Sequence, residues 1–268
     1  ESELGVALFR RSPTGIELTD AGTEFVEYAR DILDRAATAQ AAMRQRVEQQ
    51  STKLRVGLLS GTVAAGELTA PIIEYFQARR PDVEVELHDI GMDDQAAPLF
   101  AGEIDVAIVR GPLAERELDV VPVALDQTVL MTAASHELAQ EEEVSLDDIL
   151  PFRMCPAVAP DYFMEFWHLN DLRGGANVDT SLPPARTVAE VQLAVATGRV
   201  ISCGVSMIMR VLPNALVRAV PLRDGPVSTI AVARQRSDDR RVVRDFVDAA
   251  VAGAAEQIEM LPGALLPS

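Results

Sequence analysis

The sequence predicts an α/β fold in two lobes, preceded by a long helix and a small β-ribbon. Three observations carry that expectation. From Leu54 onward, short apolar runs alternate with amphipathic stretches at the spacing of βαβ units. In mid-chain two apolar extended runs, Val120 to Leu125 and Thr128 to Ala133, follow each other across only Asp126-Gln127. Between Thr23 and Val56 neither Pro nor Gly interrupts the chain.

The ribbon comes first. Leu4, Val6, Leu8 and Phe9 stand before the turn signal Ser12-Pro13-Thr14-Gly15, and Ile16 and Leu18 after it, which makes a two-stranded wing rather than a domain. Thr19 then offers an N-cap, with Asp20 and Glu24 in the first turn, where the helix dipole favours negative charge. The helix that follows should run about 30 residues, or about 45 Å. Its apolar positions Phe25, Ile32, Ala36, Ala39, Met43 and Val47 keep the 4-and-3 spacing of a coiled-coil seam, with Ala29 and Leu33 beside them. So narrow a seam on so long a helix predicts a dimer through Phe25, Ile32, Ala36 and Met43. The competing expectation is a helix lying on its own domain.

The texture changes after Gln50-Ser51-Thr52. Leu54 to Leu59 reads as a buried strand, Leu68 to Arg79 as an amphipathic helix, Val83 to His88 as a strand, Gln95 to Ala101 as a short helix and Ile104 to Val109 as a third strand. That order makes parallel βαβ units with right-handed crossovers. The runs from Val120 to Ala133 are extended enough to cross from one lobe to the other. A loop at Ser135 to Glu143, a short helix at Leu146 to Leu150, a strand at Phe152 to Cys155 and a helix from about Asp161 to Leu172 follow. After Gly174-Gly175 come Ala185 to Val188, a helix at Ala189 to Thr197, a strand at Val200 to Cys203 and a short helix past Gly204. Strands near Leu216 to Val220 and Ser228 to Ala233, then a helix from Arg240 to Ile258, close the pattern.

Composition narrows the function. The 268 residues carry a formal charge of −17, which argues against a chain that is mainly a nucleic-acid binder. Lys53 is the only lysine, so arginine carries nearly all positive charge. Cys155 and Cys203 stand alone, and His88, His136 and His168 have no partner at metal spacing, so neither a disulfide framework nor a metal site is expected. No nucleophile elbow, P-loop or dinucleotide glycine motif is present, so no catalytic residue and no cofactor are assigned. No signal peptide opens the chain and no apolar run reaches about 18 residues, which predicts a cytoplasmic protein with no membrane partner.

The segment LGVALFRRSPTGIELTDAG resembles the end of the winged helix-turn-helix of LysR-type transcriptional regulators, through Leu4, Gly5, Leu8, Phe9, Arg11, Leu18, Thr19, Ala21 and Gly22. In that family a long dimerising linker helix follows, then a two-lobed effector domain like the periplasmic solute-binding proteins. The resemblance implies that residues 1–18 end a winged helix-turn-helix, 19–52 form the linker helix, 53–125 with 227–260 form lobe I, and 126–226 form lobe II. It also implies a DNA-binding regulator, dimeric or tetrameric, that senses a small molecule. The family has about 30 residues ahead of this point, including most of the recognition helix, so the chain reads as a fragment whose DNA partner is held through the full-length N-terminal domain. Arg10 and Arg11 are then candidates for phosphate contact from the wing, as positioning rather than base-reading contacts; solvated surface arginines are the alternative.

Ligands in such sheets sit at strand carboxyl ends. Ser60, Gly61 and Thr62 follow the first strand, with hydroxyls and amides at a helix start suited to an anion or to simple capping. The resemblance adds Met92, in the loop Gly91 to Asp94, although Asp93 and Asp94 there would repel an anion. Arg110 follows IDVAIV directly, where a guanidinium can grip a carboxylate with two hydrogen bonds or pair with a neighbouring Asp or Glu. In the second lobe Ala157, Ser202 and Gly204 should face the cleft, with Phe163, Phe166 and Trp167 as apolar surface nearby. The expected effector is therefore a small anion, a carboxylate, that changes the relation of the lobes. Two alternatives share the pattern: a transport-type solute-binding protein, and a thiol-based redox regulator using Cys155 and Cys203.

Overall fold

The computed structural model describes residues 4–12, 15–26, 28–30, 32, 35, 53–175 and 177–267. The wing is present: β1 (Phe9–Ser12) pairs antiparallel with β2 (Gly15–Leu18), Phe9 opposite Leu18 and Arg10 opposite Glu17. Thr19 caps the helix that follows, since its Oγ1 accepts from Gly22 N at 3.0 Å while its own N–H donates to Leu8 O at 2.9 Å. Gly22 has no room for a side chain, because a Cβ there would stand 2.0 Å from Leu8 O. Along the helix Phe25 is 40% exposed, Tyr28 59% and Ile32 66%. Ala36 and Met43 lie outside the described residues.

Among the described residues, seven strands form the body. β3 (Lys53–Leu59) lies between β4 (Glu84–Ile90) and β5 (Val106–Arg110), parallel to both. The longest strand, β6 (Leu118–Ala133), pairs antiparallel with β9 (Val227–Gln235) from Leu118 to Gln127, and β9 in turn pairs antiparallel with β5. From Thr128 onward β6 leaves β9 and pairs with β7 (Ser202–Val205) and β8 (Val217–Pro221). One strand thus runs through both sheets. The sequence reads two strands there; Asp126-Gln127 does not break the extended backbone but marks where its partners change. Pro122, which has no N–H to give, sits at a register shift between Pro122 and Ala124.

Helices cover the sheets. α1 (Thr69–Arg79) and α8 (Arg241–Glu256) pack together through Phe76 and Phe246, ring centroids 5.2 Å apart and edge-on at 66°. α2 (Ala97–Phe100) and α3 (Leu146–Ile149) are single turns. The helix expected over Asp161 to Leu172 is broken in two, α4 (Asp161–Trp167) and α5 (Asn170–Arg173), because Leu169 takes φ 58 between them. α6 (Val188–Ala196) and α7 (Ile208–Val211) flank β7. The strand expected at Phe152 to Cys155 is reduced to bridges from Met154 to Val178 and Ile201. Pro151 and Pro156 bracket it and supply no N–H to a ladder.

Below the first sheet a charge network ties strand to helix. Asp105 accepts from Arg55 N (2.7 Å), Arg55 Nη2 (2.8 Å) and Arg240 Nη2 (2.6 Å), and Arg240 also pairs with Asp238. Burial raises the Asp105 pKa, but the Arg55 bonds and the Arg240 charge outweigh it and hold the carboxyl below its ordinary value. A depressed carboxylate pKa adds stability that is present above the unfolded value, about 3.9, and lost as pH falls through the folded one. Asp105→Asn should therefore lower the unfolding midpoint at pH 7 and flatten its dependence below about pH 4. Denaturant melts across that range check both.

Candidate functional site

A pocket lies where the two sheets meet. The first sheet gives Leu59, Ser60 and Val63 at the end of β3, Met92 past β4, and Arg110 at the end of β5. The second gives Met131 from β6, Ala157, and Cys203, Gly204 and Val205 from β7. Phe163, Met164 and Trp167 on α4, Val188 and Val191 on α6, and Ile208 on α7 complete the wall. The lining is overwhelmingly apolar, and Arg110 is its one charged residue among the described residues. The free volume between the walls, about 80 Å³, is below the roughly 150 Å³ of an apolar cavity that admits benzene.

Arg110 is 1% exposed and held from several sides. Nε donates to Ala64 O (2.8 Å), Nη1 to Asp126 Oδ2 (3.1 Å) and Ser228 Oγ (3.2 Å), and Nη2 reaches only the thioether Sδ of Met207 at 3.6 Å. Burial lowers its pKa to about 10, against the Asp126 charge that raises it, so it stays cationic at neutral pH. Asp126 has 0% side-chain exposure, and its Oδ1 is buried with no partner. The guanidinium expected to grip an incoming carboxylate already faces one.

Five expected effector residues, Ser60, Met92, Arg110, Ala157 and Gly204, line the pocket, and three do not. Ser60 turns the chain with φ 47, which carries exposed Thr62 outward in the 3-10 turn Gly61–Val63. The Gly61 amide, suited to an anion, donates to Asp89 Oδ1 at 2.7 Å. Ser202 bends its hydroxyl to Cys203 O at 3.2 Å. Sequence reasoning missed Asp126, Ser228 and the methionines Met131 and Met164. A signal for Asp126 existed: an Asp between apolar runs of a strand must face a cation if its face is buried.

The two sheets also touch beside the pocket. Gly66, with φ 57, approaches Met207 so closely that a Cβ would stand 1.8 Å from Sδ, and Glu67 forms an ion pair with Arg210 on α7. Both cysteines are free and buried. Burial pushes the Cys155 thiol up to about 11 and the Cys203 thiol up to about 12. At pH 7–8 neither is a nucleophile, so a thiol–disulfide exchange reagent should leave both unmodified in the folded chain and modify both after denaturation. Fast reaction of either in the native state would contradict the geometry.

On the wing, Arg10 is exposed and Arg11 lies in β1 opposite Ile16. Among the described residues no group of His, Cys, Asp or Glu is arranged to hold a metal, and no helix is long and apolar enough to cross a membrane.

Comparison with known proteins places this architecture. The transcriptional regulator AlsR of Bacillus subtilis (strain 168) is 27% identical over 149 residues, 56% of this chain and 49% of AlsR. ShiR of Corynebacterium glutamicum (strain R) is 32% identical over 150 residues, 56% of this chain and 50% of ShiR. The chain thus spans about half the length of these curated relatives, while against BudR of Raoultella terrigena the match, 26% over 253 residues, covers 92% of the chain and 86% of BudR. A full-length BenM mutant superposes over 100% of this chain and 87% of that one with a TM-score of 0.64 at 20% identity. The effector binding domain of BenM with its effector benzoate gives 0.62 at 19%, covering 79% and 96%. Both likenesses show the fold. The model of the LysR substrate binding domain matches residues 48–255, and on that match, which takes in most of the chain, the protein belongs to the LysR substrate-binding domain family.

Proposed function

We propose that the chain is the sensing part of a DNA-binding transcriptional regulator that works in the cytoplasm. A small molecule enters between the sheets, and the linker helix passes the change to a dimer whose N-terminal domains hold DNA; two dimers can pair as a tetramer. The observation that carries this reading is the pocket itself. Its walls come from both sheets at the carboxyl ends of β3 and β5, so an occupant touches both and has different affinities for different settings of the two. The wing and the exposed seam residues Phe25 and Ile32 support the DNA-binding and dimeric parts. A transport-type solute-binding protein has no use for either element, and the high thiol pKa values leave the redox alternative without a reactive group. AlsR, ShiR and BudR are named as transcriptional regulators, not enzymes.

A thermal-shift screen of the chain against small molecules tests the reading. A specific ligand at a hundredfold excess over its Kd stabilises the fold by about 2.7 kcal/mol. Ala157→Leu, whose added side chain takes up about the free volume of the pocket, should keep the fold and remove the shift. A hit that shifts this variant equally would place the ligand elsewhere.

A further inference from the structure

Three groups near the cleft that could take an anion are each engaged by a carboxylate of the chain itself. Arg110, the pocket's one charged residue among those described, is matched by Asp126, side-chain exposures 2% and 0%. The Gly61 amide after β3 is bound to Asp89. Past β4, the amides of Ala96 and Ala97 both donate to Asp94 Oδ1, at 2.9 and 2.8 Å. The rest of the lining is apolar apart from the Ser60 hydroxyl, the Cys203 thiol, which stays neutral, and the indole N–H of Trp167, an uncharged donor buried without a partner.

Electrostatics then decides the ligand's class. A carboxylate entering this pocket would set two negative charges against one cation in a buried, weakly screened place, and would have to shed its hydration to do so. An uncharged molecule meets no such penalty. Its apolar body replaces water against Met92, Met131, Phe163 and Met164, and a neutral acceptor can use Arg110 Nη2, whose present acceptor is a weak thioether at 3.6 Å.

Resting on the sensing reading above, we propose that the effector is a small molecule without net charge, mainly apolar, with a neutral hydrogen-bonding end such as a carboxamide or carbonyl. Asp126 sets that preference. It acts through Arg110 by cancelling its charge, and is a positioning residue for the ligand's polar end.

Titration calorimetry on the full chain with three matched pairs tests this: benzoate and benzamide, phenylacetate and phenylacetamide, hexanoate and hexanamide. At least one amide should bind about tenfold or more tighter than its acid. Asp126→Asn, which keeps the shape and frees the Arg110 charge, should reverse the order in favour of the acid; melting of the variant shows whether it is folded. If it is not, the wild-type comparison decides alone. Acids binding as tightly as or tighter than their amides in the wild type would overturn the charge argument while leaving the sensing reading intact. Absence of binding by all six would instead remove the sensing pocket on which the inference stands.

Discussion

Arg110→Ala should destabilise the folded chain by about 3–5 kcal/mol, the usual loss when one partner of a buried ion pair is removed. The variant leaves Asp126 at 0% exposure with no cation, and frees Ala64 O and Ser228 Oγ as well. Asp126→Ala should fall in the same range for the mirror reason. The double variant Arg110→Ala, Asp126→Ala should lose clearly less than the sum of the two, because neither charge is left buried without its partner. Urea melts of the four proteins measure the coupling, and additive losses would mean the pair is not the buried unit described. From the sequence alone, Arg110→Ala is expected to abolish the effector response while leaving dimerisation intact. The buried pair adds an expected loss of stability, so a lost response in this variant does not separate ligand contact from unfolding; Ala157→Leu is the cleaner probe.

Gly66→Val is expected to be comparably severe, and for two separable reasons. A β-branched residue at φ 57 costs about 1–2 kcal/mol of backbone strain, and its Cβ would drive into Met207 Sδ, adding about 1–3 kcal/mol of overpacking. Met207 is fully buried and has little room to retreat. The contact joins the turn before α1 to the turn before α7, so the two sheets should be propped apart there and small-molecule binding weakened together with stability. Met207→Ala in the same chain removes the collision and leaves only the backbone strain. The double variant should therefore be less destabilised than the sum of the singles, and strict additivity would show that Gly66 acts through its backbone alone.

What could be read beforehand follows how local each determinant is. The wing, the Thr19 cap and the βαβ rhythm through Arg110 are set by neighbours in sequence: a turn signal, a hydroxyl three residues before an amide, a run of apolar residues. The continuity of β6 was less visible because Asp126-Gln127 looks like a turn when its partners are unknown. Both residues pair with β9, at Ser228 and Val227, about a hundred positions away. The break at Leu169 carries no Gly or Pro to announce it. At the site, strand ends pointed to Ser60, Arg110, Ala157 and Gly204, because a residue at a carboxyl end has a fair chance of facing the cleft, while Met92 came from the family resemblance. The state of Arg110 could not be read the same way. Choosing between an incoming carboxylate and Asp126 depends on the register of β5, β9 and β6 side by side, which is a tertiary fact.

The central claim is that one pocket between the sheets takes the ligand and couples them. Hydrogen exchange of the chain, with and without the first ligand that the thermal-shift screen returns, tests it most directly. The account predicts slower exchange in three separate stretches at once: Leu59 to Val63, Val109 to Gly111, and Cys203 to Val205, with the outer helices α1 and α8 unchanged. Protection confined to one sheet, or appearing only on α1 and α8, would contradict it.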